Sequence, residues 1–340
     1  MRPLRASLCA PTAVALCFLL AAAVSGGAQT SVPKPPWASS GSSKAAPAAK
    51  PEADTSGSPD TTIKVEVKLV NVFVTVTDPS GAPIAGLAKD NFQVLEEGKE
   101  QKISVFDRES ALPLSIVLDI DTSLSTRRVL PLELSSARRF AHAIVRPVDG
   151  LSLYGFSEDV TEVLPFTSNL KSIDRGIDRL PLGSATALYD ALYLGSEALE
   201  RREGRKVMVV VTDGGDTVSK LGYKDAVRAA QEAEAIVYSV IMVPIEASAG
   251  RDTGGEHALI QLSADTGGRY FYATSGMQLD DAFRQISDEL RTQYLLAYYP
   301  SPRPYGSDYR RIEVNVHTSS ADSNYRVRHR TGYYTTKSHF

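Results

Sequence analysis

Between residues 111 and 293, short apolar runs alternate with amphipathic helical stretches, and this rhythm constrains the fold more than any other feature of the chain. The apolar runs are Leu114–Ile120, Leu151–Phe156, Val207–Val211, Ile236–Val243 and Tyr270–Tyr272. Helical patterns lie at about Leu132–Val145, Leu170–Leu180, Ala187–Glu200, Lys224–Ala235 and His257–Ala264, and Asp280–Gln293 closes the series with an Asp-rich first turn. Strands this continuously apolar are buried on both faces, so helices must cover both sides. The expectation is an α/β unit, a doubly wound and mostly parallel sheet. "TEVLPF" (Thr161–Phe166) follows the second run too closely for a crossover helix, and reads as a short antiparallel edge strand.

β-type patterns flank this unit. Apolar residues at Ile63, Val65, Val67 and Leu69, then at Val70, Val72, Val74 and Val76, alternate with period two and change phase between Leu69 and Val70, which implies a bulge or a break. "DPSG" (Asp78–Gly81) makes a turn, and Phe92–Phe106 reads as a hairpin about Glu97-Gly98. On the far side, "QYLLAYYP", "YRRIEVNVH" and "YRVRHRTGYY" read as strands. Neither flank has enough strands to bury two faces alone. One discontinuous β-sandwich is therefore expected, formed from residues 62–110 and 294–335 with the α/β domain (111–293) inserted, and residues 336–340 as a tail.

The N-terminus carries Arg2 and Arg5, the apolar run Ala13–Val24 and the small-residue stretch "SGGAQT". That order is a secretory signal peptide cut after Ala28, so residues 1–28 would be removed. The run is short of the roughly 20 apolar residues a membrane span needs, and no integral span is expected after cleavage. "VALC" (Val14–Cys17) is a poor lipoprotein signal, because Leu16 stands where a small residue belongs. Export to the periplasm or the extracellular side of the envelope follows. Cys9 and Cys17, the only cysteines, lie inside the leader. The mature chain would have no disulfide, thiolate metal site or cysteine nucleophile. Residues 29–61 are a Pro/Ala/Ser-rich disordered linker holding Trp37, either a docking residue or a solvated one.

A net charge of −3 gives no reason to expect nucleic acid or an anionic membrane as partner. Chemistry is concentrated in three polar clusters at strand ends, where ligands collect in open parallel sheets. They are Asp121, Ser123 and Ser125 in "SIVLDIDTSLST", Thr186 in "GSATALYDAL", and Asp213 in "KVMVVVTDGGD". Carboxylate and hydroxyl oxygens are hard ligands, which suits Mg²⁺ first and Mn²⁺ or Ca²⁺ as alternatives. A site with few carboxylates leaves a coordination position for an outside group. Each cluster alone also has an ordinary structural reading: a Ser/Thr group after a strand is most often a helix N-cap.

"DTSLS", the downstream Thr186 and "TDGGD" resemble the metal-ion-dependent adhesion site of von Willebrand factor type A domains, whose fold is Rossmann-like. "GLAKDNFQVLEEGKEQKISVF", "LSADTGGRYFY", "QYLLAYYPS" and "YRVRHRTGYY" resemble the acidobacterial von Willebrand factor A-related family of exported proteins. The resemblance implies that Asp121, Ser123 and Ser125 are the first-loop ligands, and that Thr186 and Asp213 complete the site directly or through water. It further implies a non-enzymatic adhesion module whose cation is completed by an Asp or Glu of a partner protein. Leu124 and Thr126 depart from the usual Gly and Met of the motif. Asp119 replaces an apolar strand residue, either as an acceptor behind the ligands or as a buried acid with a raised pKa.

The rival is an enzyme. "LDIDTS" nearly fits the Asp-x-Asp-x-Thr signature of haloacid-dehalogenase-type phosphatases, with Asp119 as nucleophile, Asp121 as general acid and Asp213 or Asp216 on Mg²⁺. A scaffold with a degenerate metal site is the other alternative. Asp216 behind Gly214-Gly215 fits a loop-shaping, ion-binding or helix-capping role. The five histidines are scattered without metal-ligand spacing, and no Gly-x-Ser-x-Gly elbow or phosphate loop occurs.

Overall fold

The computed structural model describes residues 69–108, 112–243, 253–300, 308–317 and 325–336, all of them in one compact unit, Lys64–Phe340. The expected leader, linker and strand half before Leu69 lie outside the described residues.

The alternating region forms a six-stranded sheet. Its strands are β5 (Leu114–Asp121), β6 (Gly150–Phe156), β7 (Val160–Thr167), β8 (Arg205–Thr212), β9 (Ile236–Met242) and β10 (Tyr270–Ala273), in spatial order β10-β9-β8-β5-β6-β7. All neighbours are parallel except β6 and β7, so the short "TEVLPF" segment is the antiparallel edge that its brief connection predicts. Every residue of β5 is buried. Ile116, Leu118 and Ile120 pack with residues of α1 (Leu130–Ile144), α2 (Leu170–Ile177) and α6 (Gly276–Thr292). Val117, of opposite parity, packs with α3 (Leu188–Glu200), α4 (Tyr223–Glu232) and α5 (Thr253–Thr266). The sheet is thus covered on both faces, as a strand without polar alternation requires.

Two four-stranded sheets are built from the flanks. One has the order β13-β1-β11-β4, with β1 (Val70–Thr77), β4 (Ile103–Arg108), β11 (Tyr294–Tyr298) and β13 (Arg326–Arg328). The other has the order β14-β12-β2-β3, with β2 (Phe92–Glu96), β3 (Lys99–Gln101), β12 (Tyr309–Val316) and β14 (Gly332–Tyr334). The N-terminal β1 pairs with the C-terminal β11, and β2 with β12. Val70, Val72, Val74 and Val76 share one apolar core with Phe92, Val94, Leu296, Ile312 and Val314. The flanks therefore make one sandwich around the inserted α/β unit.

Two details differ from the sequence reading. Phe92–Phe106 is a hairpin only up to Gln101. The Glu97-Gly98 turn has both φ angles positive, as a two-residue hairpin turn requires, and the chain then changes sheets at Lys102. Likewise "YRVRHRTGYY" is not one strand, because β13 and β14 belong to opposite sheets. A period-two pattern records which side of a strand is apolar and carries no information on which sheet the strand joins.

Candidate metal centre

In the order β10-β9-β8-β5-β6-β7 the chain moves outward in one direction from β5 to β7 and then returns to β8 on the other side. This reversal opens a crevice at the carboxyl ends of β5 and β8. Asp121 is the last residue of β5, and Asp213 follows the last residue of β8. The two carboxylates that the sequence singles out are thus set on adjacent strand ends.

The Asp121 loop is held by its own polar atoms. The backbone N–H of Ser123 donates to Asp121 Oδ1 (2.9 Å), and Thr212 Oγ1 donates to Asp121 Oδ2 (2.7 Å). Thr126 Oγ1 donates to the carbonyls of Asp121 (3.0 Å) and Ser123 (3.2 Å). Thr126, which departs from the motif, thereby closes the loop. The Ser123 and Ser125 hydroxyls lie 3.0 Å apart. Two neighbouring oxygens on an octahedral Mg²⁺, each at about 2.1 Å, would be separated by about 3 Å, the same spacing as this hydroxyl–hydroxyl hydrogen bond. None of these hydroxyls caps α1, whose N-cap is Val129 without a side-chain hydrogen bond. The N-cap reading of the cluster does not hold.

Thr186 lies buried between the two loops. Its neighbours Gly183 and Ala187 donate to the carbonyls of Thr122 (3.0 Å) and Ser157 (2.6 Å). The Thr186 N–H donates to Thr217 Oγ1 (2.9 Å), and its carbonyl accepts from the N–H groups of Thr217 and Val218. Asp216 holds the same region by a different route: its Oδ1 accepts from Leu188 N (2.9 Å) and Tyr189 N, and from the Ser219 hydroxyl. Asp216 is therefore the cap of α3.

A residue that the sequence reading missed stands behind the loop. Glu133, in the first turn of α1, is 1% exposed, and neither of its carboxylate oxygens has a hydrogen-bond partner among the described residues. Burial, and then the charges of Asp121 and Asp213, push its pKa up to about 9. Asp121 itself is pushed up to about 6, by burial first and also by Asp213, against the lowering by its Thr212 and Ser123 hydrogen bonds. No ion pair to a Lys, Arg or His neutralises Asp121, Asp213 or Glu133 among the described residues. Two buried acids, Asp121 and Glu133, thus feel the charge of the half-buried Asp213 with no protein cation paired to any of the three among the described residues. The sequence did hold a signal for Glu133: with Leu130, Ala137, Phe140 and Ile144 it shares the buried face of α1.

This donor set fits a hard divalent cation. No group of three or more His, Cys, Asp or Glu side chains is placed to hold a metal among the described residues, so an ion here needs the hydroxyls of Ser123 and Ser125 beside Asp121. When bound, the cation would supply positive charge that a buried carboxylate pair otherwise lacks.

Asp119 is spent differently. It is fully buried, both oxygens lack partners, and burial raises its pKa well above the usual carboxylate range. A Cβ added to Gly195 of α3 would lie 3.2 Å from Asp119 Oδ2, 3.1 Å from Val117 Cγ1 and 2.8 Å from Met208 Cε. Asp119 is therefore sealed between sheet and helix as a buried acid, and it bonds no metal-loop residue. A nucleophile must reach its substrate. In this structure Asp119 is fully buried and Asp216 is engaged as a cap, so neither residue supports the phosphatase assignment.

The family model of the von Willebrand factor type A domain matches residues 115–285, half of the chain. A comparison with curated proteins gives no match. Among solved structures, conserved hypothetical protein BatB from Bacteroides thetaiotaomicron is similar at 21% identity and TM-score 0.42, covering 53% of this chain and all of that one. A von Willebrand factor type A protein from Catenulispora acidiphila aligns at 10% identity and TM-score 0.47, over 73% of this chain and 70% of its own. The vWF domain of the type V pili tip protein Mfa5 from Porphyromonas gingivalis aligns at 12% identity and TM-score 0.44, over 52% and 95%. With the doubly wound sheet, the loop at the end of β5 and the matched span together, the chain belongs to the von Willebrand factor type A domain family.

Proposed function

We propose that this is an exported, non-enzymatic protein-binding module that holds a divalent cation, Mg²⁺ foremost, at Asp121, Ser123 and Ser125, with Thr186 and Asp213 completing the site directly or through water. An Asp or Glu of a partner protein takes the remaining position. The observation that carries this reading is the uncompensated acid group: buried Asp121 and the orphaned, buried Glu133 both feel the charge of half-buried Asp213, and none of the three is paired with a protein cation among the described residues. An external cation relieves that repulsion, and a second carboxylate from outside would not approach without one.

The surroundings of the loop support a protein as the ligand. Leu124, between the two serines, is 57% exposed, and Leu182 and Val218 are exposed as well. Leu182 precedes Gly183, which bonds the Thr122 carbonyl, and Val218 N bonds the Thr186 carbonyl. Apolar side chains at the rim of a charged centre suit a macromolecular partner better than a small solvated ion. Export rests on the charge, apolar run and small-residue order of the first 28 residues. No helix among the described residues is long and apolar enough to cross a membrane.

The test is thermal unfolding with and without Mg²⁺ or Mn²⁺, paired with assay of a generic phosphate monoester. The proposal expects the cation to raise the melting temperature of the wild type and not of Asp121→Ala, with no turnover. An equal shift in both proteins, or cation-dependent hydrolysis, would defeat it.

A further inference from the structure

At the opposite end of β5 from Asp121, about 23 Å away at 3.3 Å per residue, a cavity of about 250 Å³ is lined by three arginines and one acid: Arg146, Arg205, Arg291 and Asp149. Leu114 and Ile144 supply apolar wall. The one acid is already satisfied. Asp149 accepts from the N–H of Leu114 (2.8 Å), the N–H of Arg146 (3.0 Å) and the Arg146 guanidinium (2.8 and 2.9 Å). Arg291 Nη2 donates to the Ala143 carbonyl (2.6 Å), and Arg205 Nη1 donates to the Leu290 carbonyl. These carbonyls belong to the last turns of α1 and α6, and the two helix ends together offset about one positive charge. Three guanidiniums against one carboxylate and two helix ends leave positive charge over.

Arg205 is the decisive group. It is 4% exposed, and its Nε has no partner among the described residues. A buried guanidinium donor left unmade is costly. Arg205 also lies close enough to Arg146 for that charge, after burial itself, to lower its pKa. Arg146 and Arg291 stand at the solvent side, the former half-exposed and the latter exposed. The arrangement is a mouth of two solvent-side arginines above a buried, partly unpaired third.

We infer that this cavity binds a small oxyanion, phosphate or carboxylate, between Arg205, Arg146 and Arg291. The planar forks of arginine match the paired oxygens of either group, and the volume admits such an ion together with several waters. The site is independent of the cation centre, lying at the amino-terminal ends of β5 and β8.

The experiment uses the full chain, freed of metal by chelation and then dialysed free of chelator. Thermal unfolding and calorimetric titration are run with sodium phosphate, with sodium acetate, and with sodium chloride at equal ionic strength. The variants are Arg205→Met, which keeps the bulk and removes the charge, and the surface change Arg291→Gln, which decides the matter if the first fails to fold. Saturable binding of phosphate or acetate beyond the chloride effect is expected, weakened tenfold or more in each folded variant and unchanged in Asp121→Ala. Which ion saturates identifies the oxyanion class. Equal responses to all three salts, or undiminished affinity in Arg291→Gln, would overturn the inference.

Discussion

Replacing Glu133 by Gln gives the sharpest view of the acid crevice. In the folded chain Glu133 titrates near 9, against an ordinary value of 4.5. Below 4.5 the carboxyl is protonated in both states and costs nothing. Between the two values the unfolded chain releases this proton and the folded chain keeps it, so folding weakens as pH rises, by 1.36 kcal/mol for each unit. From pH 5 to pH 8 the three units amount to about 4 kcal/mol. Gln has the shape of the protonated acid and no proton to lose. In urea unfolding of metal-free protein, wild type should therefore lose about 4 kcal/mol relative to Glu133→Gln across that range. Saturating Mg²⁺ should shrink the difference, because a cation beside Asp121 offsets the negative charge that helps hold the Glu133 proton on. Parallel pH profiles of the two proteins would refute the picture of Glu133 as a buried, uncompensated acid. A difference untouched by Mg²⁺ would refute its link to the cation.

Gly195→Ala adds a methyl that meets the flexible tip of Met208 at 2.8 Å and Val117 at 3.1 Å; overpacking of about 1–3 kcal/mol is offset by about 1 kcal/mol of helix propensity, and chemical unfolding should show a net loss of about 2 kcal/mol at most. Asp216→Ala removes the α3 cap and should cost about 1 kcal/mol or more. Because the same segment holds Thr186 through Thr217, it should also weaken Mn²⁺ binding in titration calorimetry, whereas unchanged affinity would show that Thr186 is positioned without it.

Much of this architecture is legible in the residues themselves. An apolar run such as "KVMVVV" has only one environment available, a strand covered on both sides, and five runs with helical periods between them leave few topologies. The end of β5 is equally plain, because Asp121 with Ser123 and Ser125 interrupts an otherwise apolar segment at the one place where a parallel sheet gathers ligands. What escaped was whatever depends on a neighbour far away in the chain. Glu133 looks like an ordinary acid in a first helical turn, where the helix dipole favours it, until the packing of α1 shows it buried. Asp216 fits an ion, a loop or a cap equally well by sequence; only its 2.9 Å bond from Leu188 N decides for the cap. Asp119 falls in the same class, since its burial is set by how closely α3 approaches at Gly195. The changes of sheet at Lys102 and between β13 and β14 were hidden for a related reason, as alternation specifies a face and never a partner strand.

The most direct measurement is the anomalous scattering of manganese in crystals of the wild-type chain grown with Mn²⁺. The account predicts one strong peak within about 2.3 Å of a carboxylate oxygen of Asp121 and of the Ser123 and Ser125 hydroxyls. That peak should be absent from Asp121→Ala. Crystals at saturating Mn²⁺ with no density in the crevice, and with Ser123 and Ser125 still bonded only to each other, would contradict it.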